Sequence, residues 1–505
     1  MQPNFQPVLP RTLRFFQATI FIATCFTFAS FFSFFGQEKI AFSDEIQGAR
    51  LAANLLPNPN AIVAVSERSP TSVIRLGLAP DNTLELATTE INRAKEEILV
   101  NFYTLEQPAI MTSIIAAIDR GVTVKLLIEG EPLGGATVGE INLIKLFRQR
   151  LNKTPTTPSR LFVMSNFKNT EAKRRYPYDH AKYLVIDHSR VVLGSENYGL
   201  GGHPIAGLVG NRGWEVAITN ETLAAELTAL FNIDSDTTLG DVTWVSRGVV
   251  LPVRVEKPKE PAEEETEPTP PKKRTLTPVK ILDTTVDGVK LITSPHSFES
   301  TAAWIRQSTK TLNTEQMSLP ISWREKSGAP SYRSLWMQEI INAARKGVQV
   351  RVLLNDDKAF LPKEPDPETN HDTLTVIPYS KFPNQEAVRF LNSFQTCYQL
   401  PIAAKIINLS AIQANYIHNK GWISDDSRVL VSSINGSRNS IYANRETALA
   451  LEGADATQYY QGAFDFDWNS SNQPAQGRDP AVPCSSLEET SRTLFTSFQL
   501  FGFAI

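Results

Sequence analysis

His180 and Lys182 open a run whose residue types can do chemistry together: His180-Ala-Lys182, four residues, Asp187, six residues, then Gly194-Ser195-Glu-Asn197. The same order and spacing return as His418-Asn-Lys420, four residues, Asp425, six residues, then Ser432-Ser433-Ile-Asn435. His and Lys two apart on a strand project from the same face, so each copy sets an imidazole beside an ammonium. Asp187 and Asp425 then fall at a turn. The next strand returns a small residue, a serine and an asparagine to the same end. Two copies supply two His, two Lys, two Ser and two Asn. That is a set of cations and donors around an anion, with a nucleophile and an acid among them. A phosphodiester needs such a set: positive groups offset charge on the non-bridging oxygens, one His attacks phosphorus, and the other protonates the leaving oxygen.

The elements that must position these residues repeat as well. Ile114-Ile-Ala-Ala-Ile-Asp-Arg-Gly121-Val-Thr-Val-Lys-Leu-Leu-Ile128 matches Ile340-Ile-Asn-Ala-Ala-Arg-Lys-Gly347-Val-Gln-Val-Arg-Val-Leu-Leu354. Each has apolar positions at helical spacing, a glycine where a helix ends in positive φ, and an apolar strand covered on both faces. Upstream, each half has another helix–strand unit (84–95 into 98–105; 300–308 into 312–317). Downstream comes a further helix (141–151; 386–394) and strand (161–165; 404–409). Helices alternating with strands predict an α/β fold with a helix-flanked sheet in each half. The duplication suggests two lobes packed about a pseudo-two-fold axis.

This duplicated pattern resembles the phospholipase D superfamily, whose signature is a repeated His-x-Lys-x4-Asp-x6-Gly-Ser-x-Asn. The resemblance covers about residues 60–250 and 278–470. It implies two phospholipase D-like lobes, each a mixed sheet flanked by helices, with one active site between them. It also implies a covalent phosphohistidine intermediate, with no metal and no cofactor. Carried over by position, His180 and His418 are the nucleophile and general acid, with His180 favoured as nucleophile. Lys182, Lys420, Asn197 and Asn435 bind phosphate, and Ser195 and Ser433 support them. The family places a glutamate downstream to orient each imidazole, and Asn211-Arg-Gly-Trp-Glu215 and Asn444-Arg-Glu446 fit that place. Asp187 and Asp425 complete the motif as turn and scaffold residues. Ser432 departs from the usual Gly. Glu315-Gln316 resembles a stretch that lines the pocket in several members.

Composition sets the frame. The chain of 505 residues has 42% hydrophobic and 20% charged residues, ordinary for a folded protein. Net charge is -3, from 50 Lys+Arg against 53 Asp+Glu, which disfavours binding through a nucleic-acid backbone. Residues 256–274 hold five prolines and almost nothing apolar, so 252–278 reads as a solvated, extended linker. The expected divisions are 1–43, 44–251, 252–278 and 279–505. Phe15 to Phe35 is an apolar run with nine Phe, preceded by Arg11 and Arg14 and followed by Glu38, Asp44 and Glu45. It is long enough as a helix to span a membrane, and its flanks put the rest of the chain outside the cytoplasm. It serves either as a signal peptide, with Ala41-Phe42-Ser43 as cleavage site, or as an uncleaved anchor. Cys397 and Cys484 would then sit in an oxidising space, as one bridge or as two buried thiols. Arg174 and Arg175, with Lys168 and Lys173, could draw in anionic head groups.

These features lead to an exported, monomeric phospholipase D-type phosphodiesterase acting on membrane phospholipids. It would release phosphatidic acid or pass the phosphatidyl group to another alcohol. A cardiolipin-synthase-like phosphatidyltransferase is the first rival, although one apolar span and Gly-Ser-Glu-Asn depart from that pattern. An extracellular nuclease is the second, and a phosphate-binding scaffold without turnover the third.

Overall fold

The computed structural model describes residues 71–154, 157–165, 174–255, 272–323, 332–360 and 383–471, together with Cys484 and Leu487. The first half runs β1 (Ser72–Ala79), α1 (Thr83–Asn92), β2 (Glu97–Phe102), α2 (Pro108–Asp119), β3 (Thr123–Glu129), α3 (Val138–Lys153) and β4 (Arg160–Met164). The motif follows on β5 (Lys182–Ile186) and β6 (Arg190–Gly194), then β7 (Gly210–Thr219), α4 (Glu221–Asp234) and β8 (Val242–Trp244). After β9 (Leu282–Val286), the second half repeats the plan. It has β10 (Gly288–Ser294), α5 (Phe298–Arg306), β11 (Thr311–Gln316), a ribbon of β12 (Ser322–Trp323) and β13 (Tyr332–Arg333), α6 (Leu335–Arg345) and β14 (Gln349–Leu354). Then come α7 (Pro383–Tyr398), β15 (Ile402–Ile406), α8 (Leu409–Ile412), β16 (Ala414–Ile417), β17 (Lys420–Ser424), β18 (Arg428–Ser432), α9 (Arg438–Tyr442), β19 (Glu446–Glu452) and α10 (Ala454–Ser470).

The sheet orders coincide. The first contains β4-β3-β2-β5-β6-β7-β1, and the second is β15-β14-β11-β17-β18-β19-β10. In each, the two helix-connected pairs are parallel and the motif strands are antiparallel, giving mixed sheets. The glycines expected after the helices, Gly121 and Gly347, have φ of 93° and 88°, as a left-handed helix end requires. Apolar residues form three layers. Outer cores sit under α1–α3 and under α5–α7. The central core lies between the sheets and draws on both lobes: Leu227 and Phe231 of α4, Tyr460 and Phe464 of α10, Trp214, Leu353, Ile423 and Leu449. There is no room for a Cβ at Gly421, which packs against the Trp214 ring of the other lobe.

Two expectations change. The second half begins by completing the first sheet: β9, within residues 279–505, pairs with β1, and β16 pairs with β7. The ends of the expected linker are docked rather than solvated. Arg254 N–H donates to the Gly130 carbonyl, Val209 N–H to that of Lys272, and the Arg274 guanidinium pairs with Asp81. Residues 256–271 lie outside the described set, as do Phe15–Phe35, Lys168, Lys173 and residues 494–505. Among the described residues no helix is long and apolar enough to cross a membrane. Cys397 and Cys484 are bridged, with Cα atoms 5.7 Å apart, and Leu487 enters the second lobe's core.

Candidate active site

Each motif begins just before its strand, where the opposite lobe reaches across. His180 N–H donates to the Arg445 carbonyl at 2.8 Å, and His418 N–H to the Arg212 carbonyl at 2.8 Å. The exchange is reciprocal, as a two-fold relation demands. Each arginine is buried and crosses the interface. Arg212 Nε lies 2.7 Å from Asp467 on α10, and Arg445 Nε lies 2.8 Å from Asp234 on α4. So the same residue that receives the histidine's backbone also locks the lobes together.

Both lysines are fully buried, and each Nζ donates to the carbonyl of its own histidine, Lys182 to His180 at 2.7 Å and Lys420 to His418. Burial pushes Lys182 down to about 8 and Lys420 down to about 7. Both imidazoles are lowered to about 4, chiefly by burial. The cations act across the interface: Lys420 contributes to lowering His180, and Lys182 to lowering His418. The side chains keep a small opening, 11% exposed for His180 and 6% for His418.

His180 Nδ1–H donates to Glu446 Oε2 at 2.7 Å, which leaves Nε2 free to attack. The same carboxylate oxygen accepts from Ser433 Oγ at 2.7 Å. Burial works against the charge on Glu446, but His180, Lys182 and Ser433 outweigh it and hold the carboxyl below its usual value. Ser433 Oγ and Ser195 Oγ each also accept a backbone N–H at 3.0 Å, from Thr447 and Trp214 respectively. Asn197 and Asn435 each keep a buried Oδ1 without a hydrogen-bond partner among the described residues.

Glu215 does not do for His418 what Glu446 does for His180. Its Oε1 accepts from Tyr198 Oη at 3.0 Å and lies 3.2 Å from His203 Nε2, in a buried cluster behind Asn197. The carboxylate beside His418 belongs to Glu196, whose Oε2 lies 3.4 Å from Nδ1. Glu196 is the variable residue of the first motif. Asn211 Nδ2 also donates to it at 3.0 Å. Burial alone would raise its carboxyl, yet His418, Lys420 and Asn211 hold it low.

Asp187 and Asp425 sit at the far, hairpin ends of β5 and β17, at φ of 50° and 54°. Asp187 accepts the backbone N–H groups of Lys95, Glu96 and Glu97, and Asp425 those of Thr309, Lys310 and Thr311. They tie each motif hairpin to the preceding helix–strand turn and do not reach the imidazoles. Ser432 Oγ accepts from Ile434 N–H at 2.9 Å, so the extra hydroxyl at the usual Gly position is satisfied within the turn. Glu315 is buried and accepts from Asn419 Nδ2 at 3.1 Å, beneath the backbone beside His418. Gln316 is also buried and donates to Thr314 Oγ1. Arg174 and Arg175 are not a free basic funnel: they pair with Glu129, Glu131 and Asp241.

Tyr103 was not legible in the motif. Its ring stands edge-on to His180 at 4.6 Å, and Lys182 Nζ lies 5.2 Å above it. Tyr416 stands edge-on to His418 at 5.8 Å. Among the described residues, no group of three or more His, Cys, Asp or Glu side chains is placed to hold a metal ion.

The family model described as "Cardiolipin synthase, PLD-like domain" matches residues 87–234 and again 325–468. No curated protein sequence matches the chain. The phosphatidylserine synthase of Haemophilus influenzae Rd KW20 is similar in fold, with a TM-score of 0.54 at 12% identity, over 84% of this chain and 93% of that one. Nuc, a phospholipase D family member from Salmonella typhimurium, is 23% identical over 35% of this chain and 99% of that one, with a TM-score of 0.28. The polyphosphate kinase of Porphyromonas gingivalis gives a TM-score of 0.42 at 12% identity, over 84% of this chain and 56% of that one.

Proposed function

The chain belongs to the phospholipase D-like family, a superfamily of phosphodiesterases and phosphotransferases, and from that premise we propose that it cleaves the head-group ester of membrane phospholipids. His180 Nε2 attacks phosphorus while Glu446 holds its Nδ1–H. The P–O bond to the head group breaks, and His418 in its protonated form donates to the leaving oxygen. A phosphatidyl group is then bound to His180. Neutral His418 next takes a proton from water or from an alcohol, whose oxygen displaces His180 from phosphorus. Water gives phosphatidic acid, and an alcohol gives a new phosphodiester. The arriving phosphate favours the charged forms of Lys182, Lys420 and His418, which burial disfavours in the empty site. The amides of Asn197 and Asn435 donate to the phosphate oxygens in this reading.

The observation that carries this reading is the reciprocal approach of the two lobes: Glu446 of the second holds His180 at 2.7 Å, Glu196 of the first lies 3.4 Å from His418, and each histidine N–H bonds to the other lobe's arginine carbonyl. Phosphatidyl transfer of the cardiolipin-synthase kind is a second reading, favoured by the description of the matching family model. It uses the same intermediate with a lipid alcohol as acceptor. Export, with Phe15–Phe35 as a signal peptide or anchor, belongs to the proposal and rests on the sequence.

The test is head-group release from labelled phospholipid vesicles, with and without a lipid alcohol, and with plasmid DNA in parallel. Lipid turnover that disappears in His180→Ala and in His418→Ala is expected. DNA nicking without lipid turnover would replace the substrate class. Turnover surviving both substitutions would remove the mechanism.

A further inference from the structure

The two imidazoles need equivalent support, yet the lobes provide it from different strands. Four backbone hydrogen bonds, two accepted by each lobe, fix the correspondence. His180 and His418 bond to the carbonyls of Arg445 and Arg212, and the N–H groups of Ser433 and Ser195 bond to those of Thr447 and Trp214. Between Arg445 and Thr447 stands Glu446, and between Arg212 and Trp214 stands Gly213. The strand pairing agrees, with Glu446 opposite Ser294 and Gly213 opposite Ala79. The first lobe therefore has no side chain where the second has its histidine-holding carboxylate.

That empty volume is filled by Glu196. A Cβ on Gly213 would run into its Oε1 and lie 2.6 Å from its Cγ. Gly202 closes the other side, where a Cβ would lie 2.8 Å from Oε2. Glu196 is 1% exposed, and its Oε1 has no hydrogen-bond partner among the described residues. His418 Nδ1 has no hydrogen-bond partner among the described residues and lies at ion-pair distance from Glu196 Oε2. A buried ring nitrogen without a hydrogen bond and a buried carboxylate oxygen whose hydrogen-bond donor is Asn211 Nδ2 face each other at 3.4 Å.

We propose that Glu196 is the positioning residue for His418, its carboxylate having taken over from the turn after β6 the place that Glu446 occupies on β19, and that Gly213 is the vacancy this exchange requires. The identification of His418 as the proton donor rests on the function proposed above. The placing of the carboxylate does not. Glu196 sets the tautomer of His418, with hydrogen on Nδ1, so that Nε2 faces the phosphorus. A glutamate returned to Gly213 would clash with Glu196 but could replace it.

The experiment uses the full chain labelled with 15N in its six histidines. The tautomer of His418, assigned with His418→Gln, is read at pH 7 by NMR in wild type, Glu196→Ala and Glu196→Ala/Gly213→Glu. The Nδ1–H form is expected in wild type, a mixture with Nε2–H in the single variant, and recovery in the double. In parallel, kcat on a phosphodiester with an alkyl leaving group should fall about 10–100-fold in the single variant with KM little changed, and recover in part in the double. The isosteric Glu196→Gln, least disturbing to the fold, should also lower kcat. An unaltered His418 tautomer in Glu196→Ala, or unaltered kcat in Glu196→Gln, would overturn the inference. A shifted tautomer in a protein that turns over no phosphodiester would support the inference and defeat only the proposed function.

Discussion

Replacing Arg445 by Met is expected to destabilise the protein far more than removing Arg445 and Asp234 together. Arg445 is 3% exposed and Asp234 is fully buried. Arg445 Nε faces Asp234 Oδ2 at 2.8 Å, Nη2 donates to Asp234 Oδ1 at 2.9 Å, and Nη1 donates to the Ser294 carbonyl at 2.6 Å. Methionine keeps the packing of the aliphatic stem but leaves a carboxylate buried without its cation. Breaking a buried pair in this way costs about 3–5 kcal/mol, a factor of about 10²–10⁴ in the ratio of folded to unfolded chain. Removing both charges in Arg445→Met/Asp234→Leu discards the desolvation penalty with the attraction, and most of the loss should return. Urea unfolding of wild type, both singles and the double, followed by tryptophan fluorescence, completes the cycle. A cost below about 1 kcal/mol for Arg445→Met would refute the reasoning, as would a double variant less stable than that single.

Other consequences are equally open to measurement. Glu446→Gln removes the charge that supports His180 and should lower kcat about 10–100-fold with KM little changed, since a hydrogen bond to a charged group contributes about 1.5–3 kcal/mol. Steady-state kinetics checks it, and an unchanged kcat would contradict the role. Burial lowers Lys420 to about 7 and Lys182 to about 8 in the empty site. An anion favours their charged forms, so binding of a non-hydrolysable phosphonate lipid at pH 8 should take up protons. Calorimetry in buffers of different ionisation enthalpy reads that uptake, and a buffer-independent enthalpy would count against it. Asp425→Ala strips the acceptor from three backbone N–H groups and should cost about 1–3 kcal/mol in urea unfolding while kcat stays within about twofold. Cys397→Ser opens a loop of 87 residues and should cost about 2–4 kcal/mol, read as a lower melting temperature.

The duplicated motif was legible because strand geometry alone places His and Lys two apart on one face, and because the flanking helix–Gly–strand units repeat with it. Gly121 and Gly347 marked the helix ends for the same local reason. What escaped the sequence is what depends on the lobes meeting. Glu215 looked like the partner of Glu446 because both follow an Asn-Arg pair. Strand register counts residues strictly, however, and matching Asn211-Arg212 to Asn444-Arg445 sets Gly213, not Glu215, against Glu446. Glu196 lay in the motif's variable position, where residue type alone carries no signal. The Arg212–Asp467 and Arg445–Asp234 pairs span 255 and 211 residues, beyond any local pattern. Arg174 and Arg175 read as a free basic cluster only while their carboxylate partners, far off in the chain, were unseen. β9 fell on the wrong side of the expected boundary because a strand's sheet is set by pairing rather than by neighbouring sequence.

The most direct measurement is rapid quenching of the enzyme with a phospholipid labelled in its phosphate, followed by peptide mapping. One labelled phosphoryl group per chain, acid-labile, carried by the peptide containing His180 during turnover of the wild type and absent from His180→Ala, is the expected result. Two labels per chain would mean that the imidazoles serve separate sites, and turnover with no label on either histidine would contradict the shared site outright.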